Sequence, residues 1–127
     1  MRFAKYTFLA AGVYGLLALL PMYFTEARYG TDNPPAITHP EFYYGFIGVA
    51  VAFQIVFIII SRDPVKYRAL IVPSIVEKFS FVIAVALLIV AGRVSGQIVI
   101  GAAIDAVLGT LFTISHFRLP HGETSRG

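Results

Sequence analysis

The stretch FYYGFIGVAVAFQIVFIII, Phe42 to Ile60, decides the fold of this chain. It carries no charge and a single side-chain amide, Gln54, over nearly the length of about 20 residues that a helix needs to cross a hydrocarbon core of roughly 30 Å. Lipid offers no partner to a backbone amide, so such a segment must satisfy its own hydrogen bonds and is expected to be helical. Three further segments share this character: Phe8 to Phe24, Ala69 to Ala91 and Val94 to Phe117. The sequence therefore predicts an all-α, integral membrane four-helix bundle, a single domain over residues 1–127, with a 17-residue connection, Thr25 to Glu41, between spans 1 and 2.

Composition points the same way. Hydrophobic residues make up 57% of the chain and charged residues 13%, against about 25% charged in an average soluble domain. The absence of cysteine excludes disulfide exchange, thiolate metal sites and palmitoylation. Arg2 and Lys5 precede the first apolar run as in a secretory signal, but the run continues well past Ala10, Ala11 and Gly12, so a retained helix is expected.

The cations set an orientation. Arg2, Lys5, Arg62, Lys66, Arg68, Arg118 and Arg126 fall on one side, Arg28 and Arg93 on the other, and Lys78 inside a span. The positive-inside rule then places both termini and the 62–68 connection in the cytoplasm, and the chain in an inner membrane. Tyrosines and phenylalanines gather near the span ends, as headgroup-level rings do. The net charge of +3 reads as this topology signal, with affinity for anionic lipid headgroups, and not as a nucleic-acid surface.

The 25–41 connection contains Asn33-Pro34-Pro35 and His39-Pro40, so it is expected to be turn-rich and not a fifth helix, and to be the main exterior contact surface. Asp63 before Pro64 has the form of a cap that starts a helix directly after span 2. Pro73 then either kinks one helix running from Pro64 to Ala91, the preferred reading, or marks where span 3 begins. Glu77 lies about 12 Å into the membrane in the first case and about 6 Å in the second.

Polar residues within the spans carry the functional information. An ionised side chain at mid-membrane costs roughly 2.5 to 3.5 kcal/mol, so Glu77, Lys78 and Asp105 should face protein. Glu77 and Lys78, about 100° apart, are expected not to stack on each other but to seek partners on other helices. On span 4, Gly101, Asp105, Gly109 and Thr113 recur every four residues, with His116 about 20° from Asp105. Lys78 is the best donor for Asp105, and Gln54 falls near the same level, so one cluster of Gln54, Glu77, Lys78 and Asp105 is predicted in the inner half of the bundle. It serves either to hold helices together or as a polar site for a proton or lipophilic molecule. Ser74, Thr113 and His116 are secondary candidates. Ser74 and Thr113 are expected to bond to their own helix backbone. Ala11 and Gly15 in span 1, Gly45, Gly48 and Ala52 in span 2, and Gly101 and Gly109 in span 4 are expected to be close-packing positions. His39, His116 and His121 do not have the spacing of a metal or haem site, and no catalytic motif is present, so no metal or cofactor is expected, apart from a bound lipid or lipophile.

The stretches HPEFYYGFIGVAVAFQ (39–54), SRDPVKYR (61–68) and IVPSIVEKFSF (71–81) resemble a group of small bacterial four-span membrane proteins, broadly similar to DoxX-like four-helix proteins. The resemblance covers residues 39–117 and implies a four-helix membrane fold without implying an activity. The sequence leads first to a non-enzymatic accessory or scaffold subunit that associates with other membrane subunits or with itself. The alternatives are an oligomeric transporter or channel with Glu77 or Asp105 as proton site, and a protein that binds or converts a lipophilic molecule.

Overall fold

The computed structural model describes residues 2–120; His121 and Arg126, to which the sequence assigns a surface and a topogenic role, lie outside them. The described chain is helical and contains no strand. Helix α1 covers Arg2–Leu19, α2 Glu26–Asp32, α3 Pro40–Arg62, α4 Ile71–Val90 and α5 Gln97–Arg118. Four helical stretches of 22 or 23 residues, Arg2–Phe24, Pro40–Arg62, Arg68–Val90 and Gln97–Arg118, are long and apolar enough to cross a membrane. Only 22 to 33% of the most apolar window of each is buried within the protein, so most of the apolar surface of every span points outward.

Span ends follow local chemistry. Pro21 lacks the amide that would continue α1, and the chain tightens there into a 3-10 turn, Leu20–Phe24. At the other end of the bundle order, α4 stops in a Schellman motif: Arg93 N–H donates to Leu88 C=O at 2.8 Å and Gly92 N–H to Ile89 C=O at 2.9 Å. Gly92 adopts φ +70°, which a side chain would oppose. Residues 91–96 are consequently a connection, and the fourth span starts at Gln97, later than the Val94 expected from sequence.

Two expectations are corrected. The 25–41 connection does contain a helix, the seven-residue α2, and its last two residues, Pro40 and Glu41, open α3, while residues 33–39, with Pro34 and Pro35, are irregular as anticipated. Tertiary contacts hold α2: the Tyr29 ring meets Tyr43 edge-on at 5.5 Å, Tyr44 Oη donates to Glu26 Oε1 at 3.0 Å, and Gly30 lies so close to Ala36 that a Cβ would come within 2.9 Å of its Cα. Burial, with Tyr43 beside it, pushes the Tyr29 phenol up. Nor does a single kinked helix run from Pro64 to Ala91. Asp63 Oδ1 accepts from Lys66 N–H at 3.2 Å and closes one turn, a 3-10 turn follows at Arg68–Leu70, and α4 begins at Ile71. Pro73 thus lies in the first turn, where its missing amide removes no intrahelical bond.

The start of α1, the end of α5 and the 63–70 connection share one end of the bundle. The Arg118 guanidinium lies 5.0 Å from the Phe3 ring centroid, and Arg68 donates to the carbonyls of His116 at 2.7 Å and of Leu119 and Pro120 at 3.2 Å each. Those of His116 and Leu119 are orphan acceptors at the end of α5, so Arg68 acts as its C-terminal cap. Replacing Arg68 by methionine is expected to lower stability by about 1.5 kcal/mol, the low end for charged hydrogen bonds because the side chain is half-exposed. Amide exchange at 114–119 checks this: protection there should fall while that of α3 holds.

Above this end sits the core. Phe8, Phe57 and Phe112 are fully buried; Phe8 stacks on Phe112 at 4.2 Å and Phe57 meets Phe112 at 4.9 Å. Ala4, Ala11, Ile60 and Ile71 surround them. The opposite half, towards α2 and the 91–96 connection, is hollow.

Candidate functional site

Lys78 stands at mid-height, eighth in the twenty residues of α4, and Asp105 is ninth in α5, which runs the other way. Their side chains meet: Lys78 Nζ donates to Asp105 Oδ1 at 3.1 Å. The Lys78 ammonium also lies 3.5 Å from Glu77 Oε1 and 5.2 Å from the Phe57 ring centroid. Lys78 thus finds its expected partner on another helix, whereas Glu77, expected to do the same, lies against its own neighbour Lys78. Their Cβ atoms diverge, but the four-carbon lysine stem folds back, so one ammonium faces two carboxylates.

Gln54, from α3, is 2% exposed and donates from Nε2 to Ala50 C=O at 2.8 Å. Its Oε1 lies in the notch that Gly15 leaves on α1, where any side chain at position 15 would collide with it. Among the described residues nothing donates to that oxygen, and Glu77 Oε1, although within ion-pair distance of Lys78, accepts no hydrogen bond either. The amide orientation is dictated by Ala50: the flipped rotamer would turn an oxygen onto a carbonyl.

These four residues border one cavity of about 550 Å³. Its walls include Tyr14, Phe46, Ala50, Phe81 and Ile98, and its mouth is edged by Arg28, Tyr29 and Asp32 of α2 and by Gln97. Arg28 and Asp32 pair across one helical turn at 3.7 Å and are largely exposed. A second, shallower groove lies on the outer surface between α3 and α4, lined by Phe42, Gly45, Val49 and Ser80. Glu77 borders both spaces, and Phe46 and Phe81, stacked at 6.1 Å, stand between them.

The secondary candidates lie elsewhere. Ser74 Oγ donates to Leu70 C=O at 2.7 Å and Thr113 Oγ1 to Gly109 C=O at 2.8 Å, each within its own helix, as expected from sequence. His116 belongs to the terminal end, its carbonyl capped by Arg68 and its ring against Phe117. None of the three borders the cavity.

The small residues divide. Gly15 and Gly109 are points of close approach: a Cβ on Gly109 would come within 2.9 Å of the Phe79 ring. Ala11 is buried in the core, and Gly48 faces the Tyr23 hydroxyl. Gly45 and Gly101, expected to pack helices, instead have open space where a Cβ would stand, Gly45 at the groove and Gly101 at the cavity. Gly12, not singled out as a packing position from sequence, is a close approach: a Cβ there would stand 2.9 Å from the Gln54 carbonyl oxygen and 2.6 Å from Ile58 Cγ1. The wall residues Phe46 and Phe81 and the α2 rim were also missed, because an apolar residue in a span looks alike in sequence whether it faces lipid or a cavity. Compared with protein-family models, curated proteins and solved structures, the chain matches none.

Proposed function

We propose that this protein binds one small amphiphilic molecule inside its membrane bundle. The observation that carries the reading is the cavity itself: about 550 Å³, within the range of about 300 to 1,000 Å³ typical of small-molecule sites, with apolar and aromatic walls over a floor of buried polar groups. Polar side chains at membrane depth are expensive, and a floor that only joined helices would not need a space above it. The cation distribution supports an orientation with both termini in the cytoplasm of a bacterial inner membrane, so that the α2 mouth lies outside.

The Phe8, Phe57 and Phe112 core fills the bundle below the floor, which argues against a continuous pore through a single copy. An accessory role is compatible with ligand binding, and the DoxX-like resemblance adds no activity to either.

Extraction into nanodiscs followed by native mass spectrometry tests the proposal. The expected result is one retained molecule per protomer, and its loss in Gly101→Phe. Its Cβ enters open space at the cavity, from a helical position where glycine is itself unfavourable. Wild-type particles carrying no bound molecule, or retention untouched by the substitution, would defeat it. A foreign protein at fixed stoichiometry in the same spectra would support the accessory role.

A further inference from the structure

The four long helices stand in a ring, in the order α1, α3, α4, α5, and its seams are unequal. Helices α1 and α3 approach closely at Gly12 and Gly15, and α4 and α5 at Gly109 and through the Lys78–Asp105 bond. Between α1 and α5, Phe8 stacks on Phe112. Helices α3 and α4, by contrast, touch sparsely. Above the floor, Phe46 of α3 faces Phe81 of α4 across this seam, with ring centroids 6.1 Å apart. The pair is a partition. On one side lies the cavity, on another the groove of the outer surface, and on a third a hollow beside the 36–39 segment; Phe46 and Phe81 are the two residues that wall all three. Phe46 is 47% exposed, so packing leaves its ring room to turn, and Gly45 beside it has no atom within 4 Å of where a Cβ would stand.

We infer that the cavity fills from the side: its molecule is a single-chain amphiphile dissolved in the bilayer, which passes from the hydrocarbon layer through the α3/α4 seam with Phe46 and Phe81 as the gate. The inference rests on the binding reading above and adds the class of the molecule and its route. The competing route is the α2 mouth, edged by the exposed Arg28–Asp32 pair. A chain entering there must first leave lipid for water, and every methylene carried into water is costly. The groove instead keeps the chain against Phe42, Val49 and Phe81, of which Phe42 and Val49 are largely exposed on the lipid-facing surface. Polar groups accompany the head along the same path. Ser80, whose Oγ donates to Glu77 C=O at 3.1 Å, lines the groove, and Glu77 borders groove and cavity alike. A polar edge turned towards hydrocarbon is expensive, and a passing head group gives it a use. Opening requires a rotamer change at Phe46, which is fast in an exposed side chain.

The test times the filling of the site. Nanodiscs holding the protein are mixed with vesicles containing dodecanol that bears a diazirine on its chain, light flashes at set intervals fix the probe, and labelled peptides are read by mass spectrometry. Label over 42–49 reports the groove and label over 97–105 the cavity, with the Gly101→Phe signal as background. Groove label should precede cavity label. Gly45→Leu, which narrows the groove, should slow cavity labelling roughly tenfold, a barrier rise of about 1.4 kcal/mol, while its final level stays unchanged. The chain lacks cysteine, so in the double variant Phe46→Cys with Phe81→Cys a cleavable bismaleimide can bridge the seam alone. Cavity labelling should then stay at background until reductant cuts the bridge. Unchanged cavity labelling in Gly45→Leu or in the bridged protein overturns the lateral route and leaves the binding site in place, filled through the α2 mouth. Should the double variant fail to fold, Gly45→Leu alone decides. A wild-type cavity signal no higher than that of Gly101→Phe overturns the binding reading itself.

Discussion

Lys78→Met is expected to destabilise the bundle more than any other single substitution in the polar floor, by about 3 kcal/mol, the low end for breaking a buried ion pair by removing one partner. Lys78 is 5% exposed and is the only cation near Glu77 and Asp105 among the described residues, so methionine fills its volume while leaving two carboxylates facing each other. The order of effects is part of the expectation. Asp105→Leu should cost less, because Glu77 stays 3.5 Å from the ammonium, and Glu77→Gln least, because the 3.1 Å bond to Asp105 survives. The double variant Lys78→Met with Asp105→Leu should lose less than the two singles together, since the second change removes a carboxylate that the first stranded. Denaturant unfolding in mixed micelles measures all four proteins. Strict additivity, or a larger loss in Glu77→Gln than in Lys78→Met, would falsify the arrangement of one ammonium between two carboxylates.

The second large effect separates two glycines that look equivalent in the sequence. Gly12→Leu should destabilise by about 1 to 3 kcal/mol through overpacking, because the new Cβ meets the backbone carbonyl of Gln54, which cannot rotate away. Gly45→Leu should be neutral or slightly stabilising, since the Cβ enters open space and a helical glycine is replaced. In Gly12→Leu the displaced α3 backbone should also move Gln54, so ligand retention should fall along with stability. Equal unfolding midpoints for the two variants would mean that α1 and α3 do not approach at Gly12.

This contrast also shows where the sequence stops being informative. Apolar runs such as 42–60 report where lipid must be met, and all four spanning helices were legible from them. Their ends were less so: Arg2 and Lys5 are polar and still helical, because a helix can outlast its apolar stretch. Helix α2 was missed because Tyr29, Gly30 and Glu26 are held by residues of α3 and of the connection, a tertiary cause invisible in a local pattern of prolines. Pro73 was ambiguous because the same missing amide kinks a helix interior and suits a first turn. The pairing of Lys78 with Asp105 could be anticipated from the cost of charge in a membrane. The cavity could not, because glycines at Gly45 and Gly101 mark empty space and those at Gly12, Gly15 and Gly109 mark contact, with nothing in the residue type to distinguish them.

The Phe8, Phe57 and Phe112 core has a consequence for biogenesis. Its three rings come from the first, second and last spans, with Phe8 and Phe112 separated by almost the whole chain. During synthesis α1 can pair with α3 as soon as both have left the ribosome, but the stacked rings form only after the final helix is inserted. Until then the faces of Phe8 and Phe57 that Phe112 covers stay open. Assembly is therefore gated by the arrival of α5, and a chain truncated within its last span should insert three helices yet be cleared as an incomplete bundle.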